Sequence, residues 1–281
     1  MIEYLKMVIV AIVSGLTAPL PTSSAAHYNF FANVVGLTAE GNRMSFYYYG
    51  FMLCFSLVIL LIFRHTVLRG FKLAFKKNSD NSRDNRYFIK NVIISLIPTA
   101  ILFIPVAKGK FIMDYMDAFL NINGLILAGF GCIITACVLI VAMWYTSKSK
   151  HKVRRAVDKK TAFRLSFYQL PCYVIPGFSH IASGAVNLFI SDLSYKNLVE
   201  QLYIYLAPSM FFVSLIKIIR LLLTGIILDP VMLLIGAVSF IAASVLIINI
   251  AKKINIRRLF AFFSIYSVAF GIFTIVISFF I

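Results

Sequence analysis

Long apolar runs separated by short, strongly basic segments dominate the chain. Runs able to supply the roughly 17–25 helical residues that cross a bilayer lie at 46–63, 91–107, 122–145, 202–223, 231–250 and 259–281, and predict six membrane-spanning helices. Two other apolar regions, 7–37 and 162–190, are broken midway by LTAPLPTSSAAH and by LPCYVIPGFSHIASGA. Proline inside a helix removes a hydrogen bond and clashes with the preceding turn, so neither region reads as one straight helix.

Charge gives these runs a direction. Lys and Arg number 27 against 10 Asp and Glu, and residues 64–90, 148–164 and 252–258 hold eight, eight and four of those cations. Short basic loops face the cytoplasm. Parity along the chain then places residue 45 outside, both Arg164 and Glu200 inside, and both termini outside. The broken segment 162–190 therefore starts and ends on the cytoplasmic face. Such a segment is a re-entrant helix pair, tolerated at membrane depth where it is buried in protein or lines a watery cavity. If 7–37 dips likewise from the outer face, each half of the chain is one re-entrant pair followed by three spans, and the second half is the first inverted.

The predicted fold class is thus an all-α integral membrane protein in a single membrane domain, 1–281. The first repeat is 1–145, the second is 162–281, and 146–161 is a basic cytoplasmic linker. In inverted-repeat proteins a ligand sits near the midplane where the broken elements meet. PTSSAA in the first half and PGFSHIAS in the second are a faint internal echo of one another. A conventional eight-span bundle with kinked helices is the competing arrangement, and it puts Glu200 outside.

Composition narrows the class further. The chain is 61% hydrophobic and 13% charged, whereas soluble domains carry about a quarter of their residues as charges. Cations confined to loops describe topology rather than nucleic-acid binding, so no nucleic-acid partner is expected. Cys54, Cys132, Cys137 and Cys172 lie in apolar stretches without metal-ligand spacing and read as core filler. Glu3 and the uninterrupted motif downstream argue against a cleaved leader in the first fifteen residues.

Polar residues within the membrane are the functional suspects. All ten acids lie in loops, at span ends or near the N-terminus, leaving no carboxylate in either broken segment. Those segments offer Thr17, Thr22, Ser23, Ser24 and His27, then Ser179, His180 and Ser183. Hydroxyls, imidazoles and helix N-termini suit an anion. Pro21-Thr22-Ser23-Ser24 reads as a helix start, and a helix continuing from it sets Ser24 and His27 three residues apart on one face. That pair is either an activated nucleophile or a small-residue helix contact beside a hydrogen-bonded core histidine. Gly177 permits a close backbone approach ahead of Ser179. Lys217 and Arg220, late in the 202–223 run, read as snorkelling to the outer interface, with lipid-headgroup contact as the minority reading. Tyr47, Tyr48, Tyr49, Trp144 and Tyr145 read as an interfacial belt, and His65 and His151 as solvated.

At SGLTAPLPTSSAAH and IPGFSH the chain resembles the undecaprenyl-pyrophosphate phosphatase, or bacitracin-resistance, family, whose motifs read like EGLTEFLPVSSSGH and PGxSRSG. The resemblance runs over most of the chain. It implies a multi-pass bacterial plasma-membrane protein with inverted re-entrant repeats. It also implies hydrolysis of undecaprenyl pyrophosphate to undecaprenyl phosphate, which recycles the carrier lipid of cell-wall synthesis. By position, Ser24 is the candidate nucleophile and His27 the general acid/base or alternative nucleophile. Thr22, Ser23, Gly177, Phe178, Ser179 and His180 are the candidate substrate-binding residues. The expected partners are a polyprenyl phosphate or pyrophosphate lipid and the membrane, with a second copy of the chain as a candidate homodimer partner.

The departures fall on the chemistry. The family's two motif acids are Ser14 and Ala18 here, and its arginine is His180. Mg²⁺ or Ca²⁺ is expected by family, yet both take oxygen ligands, usually with carboxylates, and the motifs supply none; no metal ligand or other cofactor is assigned. A histidine also lacks the arginine's fixed charge and bidentate fork. A non-hydrolytic polyprenyl-phosphate carrier or translocase is therefore the alternative to a hydrolase.

Overall fold

The structure is a computed structural model that describes residues 1–37, 41–75, 88–107, 110–114, 124–148, 157–191, 195–254 and 256–280. Helices account for nearly all of these residues. In chain order they are α1 (Ile2–Thr17), α2 (Ser24–Val34), α3 (Gly41–Ile62), α4 (Arg64–Phe75) and α5 (Phe88–Ala100). After a 3₁₀ turn (Ile101–Phe103) and strands β1 (Pro105–Ala107) and β2 (Lys110–Phe111) come α6 (Gly124–Lys148), α7 (Lys159–Val174) and α8 (His180–Ile190). The last three are α9 (Tyr195–Leu223), α10 (Pro230–Ala251) and α11 (Ile256–Ile277).

Among the described residues five helices are long and apolar enough to cross a membrane: Asn42–Ile62, Gly124–Trp144, Leu198–Leu223, Pro230–Ala251 and Arg258–Ile277. The 91–107 run differs from the single span expected of it. Its α-helix ends at Ala100, two residues after Pro98, and the chain passes through the 3₁₀ turn into β1. Pro105 opens that strand, and a residue preceding proline is driven out of the α region, here Ile104 at ψ 125. β1 and β2 pair antiparallel, Pro105 with Phe111 and Ala107 with Lys110.

Both broken segments are helical hairpins of matched size: sixteen and eleven residues in α1 and α2, sixteen and eleven in α7 and α8. Each closes on itself at its base. Lys6 Nζ donates to the Gly36 carbonyl at 2.8 Å in the first, and Arg164 Nη2 donates to Ser191 Oγ at 2.8 Å in the second. The two ends of each hairpin thus lie together, with its tip at the far end.

The packing of the remaining helices repeats between the halves. α1 lies on α10 as α7 lies on α5; α3 contacts α10 as α9 contacts α5; α3 packs on α9 and α6 on α11. The α6–α11 crossing is close because Gly129 and Gly271 face each other, and a Cβ on either would stand 2.7 Å from the other's carbonyl oxygen. The main core gathers Met7, Phe51, Phe55, Tyr203 and Phe240 between these layers. Long apolar side chains such as Leu61, Leu223, Phe262 and Ile265 stay exposed on the outer faces, the surface that a lipid solvent covers.

Candidate functional site

The two hairpin tips meet inside the bundle. At the first, Pro19–Pro21 ends the run of α1, and Ser23 at φ −91 caps α2 with its side chain accepting from the Ala26 amide at 3.2 Å. At the second, the Ser179 hydroxyl accepts from the Ala182 amide, also at 3.2 Å, and caps α8. Both serines are buried. A small pocket of about 10 Å³ between the tips is lined by Thr22, Ser23, Ser24, Phe178, Ser179 and His180. These are six of the eight residues the motifs single out, drawn together from opposite halves of the chain.

Gly177 and His27 lie elsewhere. Gly177, at φ +91, presses against α6: a Cβ there would sit 1.9 Å from the Ala128 carbonyl oxygen. Thr135 bridges this contact, its hydroxyl hydrogen shared between the Gly131 and Gly177 carbonyls at 3.0 and 3.1 Å and its oxygen accepting from the Ser179 amide at 3.0 Å. Thr135 has no motif around it, and only its position in an apolar span marks it. The His27 ring is turned from the pocket, stacked on Phe270 with centroids 3.9 Å apart. Its Nδ1–H donates to the Ser23 carbonyl at 2.6 Å, which leaves Nε2 to accept from the Tyr266 hydroxyl at 2.6 Å. The Ser24 hydroxyl instead lies 3.9 Å from Met52 Sδ. In this arrangement Ser24 and His27 do not form the nucleophile–base pair that their spacing permits.

His180 is held from two sides by Gln169. The amide of Gln169 donates to the His180 carbonyl at 2.9 Å, so its oxygen faces Nδ1 at 2.5 Å and accepts the hydrogen there. The neutral imidazole then presents a lone pair at Nε2. His180 thus offers an acceptor where the resemblance implies an arginine's donors. One polar atom of the pocket stays unmatched: Thr22 Oγ1 is buried without a hydrogen-bond partner. An orphaned buried hydroxyl costs roughly 1–3 kcal/mol, a cost that a bound acceptor or donor would remove.

The tip pocket shares Tyr48, Cys172 and His180 with a cavity of about 570 Å³. Its charged lining residues among those described are Asp114, Lys217 and Arg220. The snorkelling expected of the two cations is corrected here. Lys217 is only 4% exposed, 3.8 Å from Asp114, and Arg220 Nη1 donates to both Asp114 oxygens at 2.7 Å with its guanidinium over the Phe111 ring. The tyrosine belt is corrected too: Tyr47 is packed in the core, and Tyr48 and Tyr49 line the cavity. Trp144 is exposed. The side chain of Tyr145, and residue His151, lie outside the described residues.

A divalent cation finds no suitable cage at Ser14 and Ala18, where the resemblance implies two acids. The Ser14 hydroxyl donates back to the Val10 carbonyl at 2.7 Å, and Ala18 is a buried methyl. Among the described residues no three His, Cys, Asp or Glu side chains lie close enough to share an ion. Hard cations ask for several oxygens, commonly carboxylates, so the described residues at these positions do not fit such a metal.

Apolar helices exposed on their outer faces and wrapped around a polar cavity define a multi-pass membrane protein. Residues 7–273 match the family described as bacitracin resistance protein BacA, and the chain belongs to that family. It is 28% identical over 260 residues to an undecaprenyl-diphosphatase of Bacteroides thetaiotaomicron, covering 89% of this chain and 91% of that protein. To an undecaprenyl-diphosphatase of Bacteroides fragilis it is 29% identical over 285 residues, 98% of each chain. A protein named undecaprenyl-diphosphatase 2 from Bacillus thuringiensis is 25% identical over 287 residues, 97% of each.

Proposed function

We propose that this protein is an undecaprenyl-diphosphatase that takes the pyrophosphate headgroup of its lipid between the two hairpin tips, in the recycling of the cell-wall carrier lipid. The observation that carries the reading is the meeting of two serine-capped helix N-termini, α2 and α8, around the orphaned Thr22 hydroxyl. Helix N-termini attract anions through free N–H groups and the dipole. The polyprenyl chain would lie along the apolar outer helices in the membrane. The names of the relatives supply the substrate.

In this reading the hairpins are re-entrant. The matched helix lengths, the closed hairpin bases and the exchanged packing of α1 on α10 and α7 on α5 support an inverted repeat of 1–145 and 162–281. α5 with its 3₁₀ turn serves as the sixth, shorter span. The basic loops face the cytoplasm of a bacterial plasma membrane and the termini face outward.

Hydrolysis through a serine has two steps: the hydroxyl oxygen bonds to the terminal phosphorus as the bond to the bridging oxygen breaks, its proton passing to the leaving undecaprenyl phosphate, and water then cleaves the phosphoserine to release inorganic phosphate and restore the hydroxyl. Ser24 is the hydroxyl at the α2 N-terminus nearest to that task. His27 could act on Ser24 only after its ring leaves Phe270 and Tyr266. Full-length protein in vesicles is expected to release phosphate from undecaprenyl pyrophosphate, and Ser24→Ala to abolish the release. Adding the family's groups back as Ser14→Glu/Ala18→Glu/His180→Arg should raise the rate about 100-fold or more, the scale of one charge-stabilising group. No release above a vesicle blank, with or without divalent cations, would sink the hydrolase reading.

A second reading, a non-hydrolytic carrier of polyprenyl phosphates, is favoured by one specific feature. The pocket retains its anion-binding caps while Ser14, Ala18 and His180 replace the groups that the family resemblance ties to turnover. It requires lipid binding or transbilayer exchange without phosphate release.

A further inference from the structure

His180, not His27, is the imidazole that shares a pocket with Ser24. Both line the small space between the tips, whereas His27 has each ring nitrogen engaged elsewhere. The tautomer of His180 is set by one neighbour. Gln169 lies fully buried on α7; its amide nitrogen is committed to the His180 carbonyl, which turns its oxygen to Nδ1 and makes that nitrogen the protonated one. Nε2 has no hydrogen-bond partner among the described residues, and it is not among the fully buried atoms left without one. It therefore opens onto the cavities that the ring lines. Tyr48 and Cys172, the other titratable groups of the small pocket, carry their own protons near neutral pH, and no carboxylate among the described residues lines it. A hydroxyl at a helix N-terminus, an unpaired imidazole nitrogen in the same pocket and an amide oxygen on the far ring nitrogen supply the three roles of nucleophile, base and orienting group.

Resting on the hydrolase reading above, we propose that His180 is the general base for Ser24 and that Gln169 is the positioning residue that fixes its tautomer. The pocket, at about 10 Å³, has room for about one water, so the proton reaches Nε2 directly or across that water. In the first step the Ser24 proton moves to Nε2 as Oγ bonds to the terminal phosphorus, and the imidazolium hands it to the leaving undecaprenyl phosphate. In the second, Nε2 takes a proton from the water that attacks the phosphoserine and returns it to Ser24 Oγ as inorganic phosphate leaves. Gln169 accepts from Nδ1–H throughout, which holds the ring in place and stabilises the imidazolium while it lasts.

The test is phosphate release from undecaprenyl pyrophosphate by the full chain in vesicles, with Tm recorded for every variant. His180→Ala is expected to lose about 100-fold or more in kcat with KM within about threefold of wild type. Added imidazole should recover part of the rate in His180→Ala and none in Ser24→Ala. Gln169→Leu should lower kcat about tenfold, and Gln169→Glu, which keeps an acceptor at Nδ1, should restore it. His180→Arg alone should be as slow as His180→Ala, because a guanidinium accepts no proton; with Ser14→Glu and Ala18→Glu also present, the new carboxylates supply the acceptor. Wild-type kcat in His180→Ala overturns the proposal, as does His180→Arg alone running faster than wild type, or imidazole rescue of His27→Ala with none of His180→Ala. Gln169→Leu with unchanged kcat, or with a loss that Gln169→Glu does not recover, overturns the positioning role. Should His180→Ala fail to fold, His180→Arg and the Gln169 pair decide by the same criteria. No release from wild type brings down the hydrolase reading itself; release by wild type that His180 variants leave unchanged removes only the base.

Discussion

Thr22 separates binding from folding more sharply than any other residue of the tips. Its hydroxyl is buried and unmatched, so it contributes nothing to the ligand-free fold that a methyl could not. Thr22→Val keeps the shape and removes the polar atom. The expected result is an unchanged or higher Tm, by up to about 1 kcal/mol of stability, together with roughly tenfold weaker pyrophosphate binding. A simple packing role would instead lower Tm and spare binding. His27 is the counter-example at the same scale. Each of its nitrogens has a partner and its face has Phe270, so the bland reading of a satisfied core histidine describes its resting position. Sequence spacing told that Ser24 and His27 could share a helix face; it could not tell which neighbouring helix the imidazole would find.

At the scale of elements, the hairpins and their caps were legible because proline and serine punctuate the apolar pattern at the tips, at Pro19, Pro21, Pro171 and Pro176. The far end of the second apolar run was set too late because hydropathy does not register where a short helix stops; Pro98 and Pro105 mark that end only in hindsight. Lys217 was misread for a different reason. Its place in the sequence sets its position along α9, but that helix is apolar around most of its circumference, so no amphipathic face shows whether the side chain points to lipid or to a cavity. The carboxylate that meets it comes from a segment with no sequence link to either hairpin. That contact titrates in a defined direction. Partial burial, the largest single influence on the Asp114 carboxyl, favours its protonated form; the Phe111 amide, Arg220 and Lys217 together outweigh it and hold its pKa below the ordinary carboxylate value. A carboxyl held low in the folded state stabilises it above the unfolded value near 3.8, and that stabilisation is lost as pH falls through the folded value. The Tm gap between wild type and Asp114→Asn should therefore be present at neutral pH and close on acidification below about 4. A gap independent of pH would mean that the two charges do not hold the segment.

Across the whole molecule, the same contacts recur at opposite ends. Tyr4 of α1 donates to Asp229, the cap of α10, at 2.9 Å, and Asn91 of α5 donates to the Val157 carbonyl just ahead of α7 at 2.8 Å. One end thus joins the base of the first hairpin to the loop before α10, and the other joins the base of the second to the start of α5. Thr66 bonds to Glu200, and Lys252 Nζ lies 4.5 Å over the Phe63 ring, which puts three segments that follow or precede basic loops at the second end. Two tips can face each other across a membrane only if the two bases lie on opposite sides. The eight-span alternative makes each hairpin cross instead, which would separate Lys6 from Gly36 and Arg164 from Ser191 by a bilayer; the closed bases speak against it. Single cysteines in a background without the four native ones decide the matter in cells. Cysteine at Ile227, 78% exposed, should react with a membrane-impermeant maleimide in intact cells. Cysteine at Glu200 or Lys253 should react only after permeabilisation. Labelling of the Glu200 site from outside would place both bases on one side of the membrane, and the helix N-termini of α2 and α8 could then no longer converge on one headgroup.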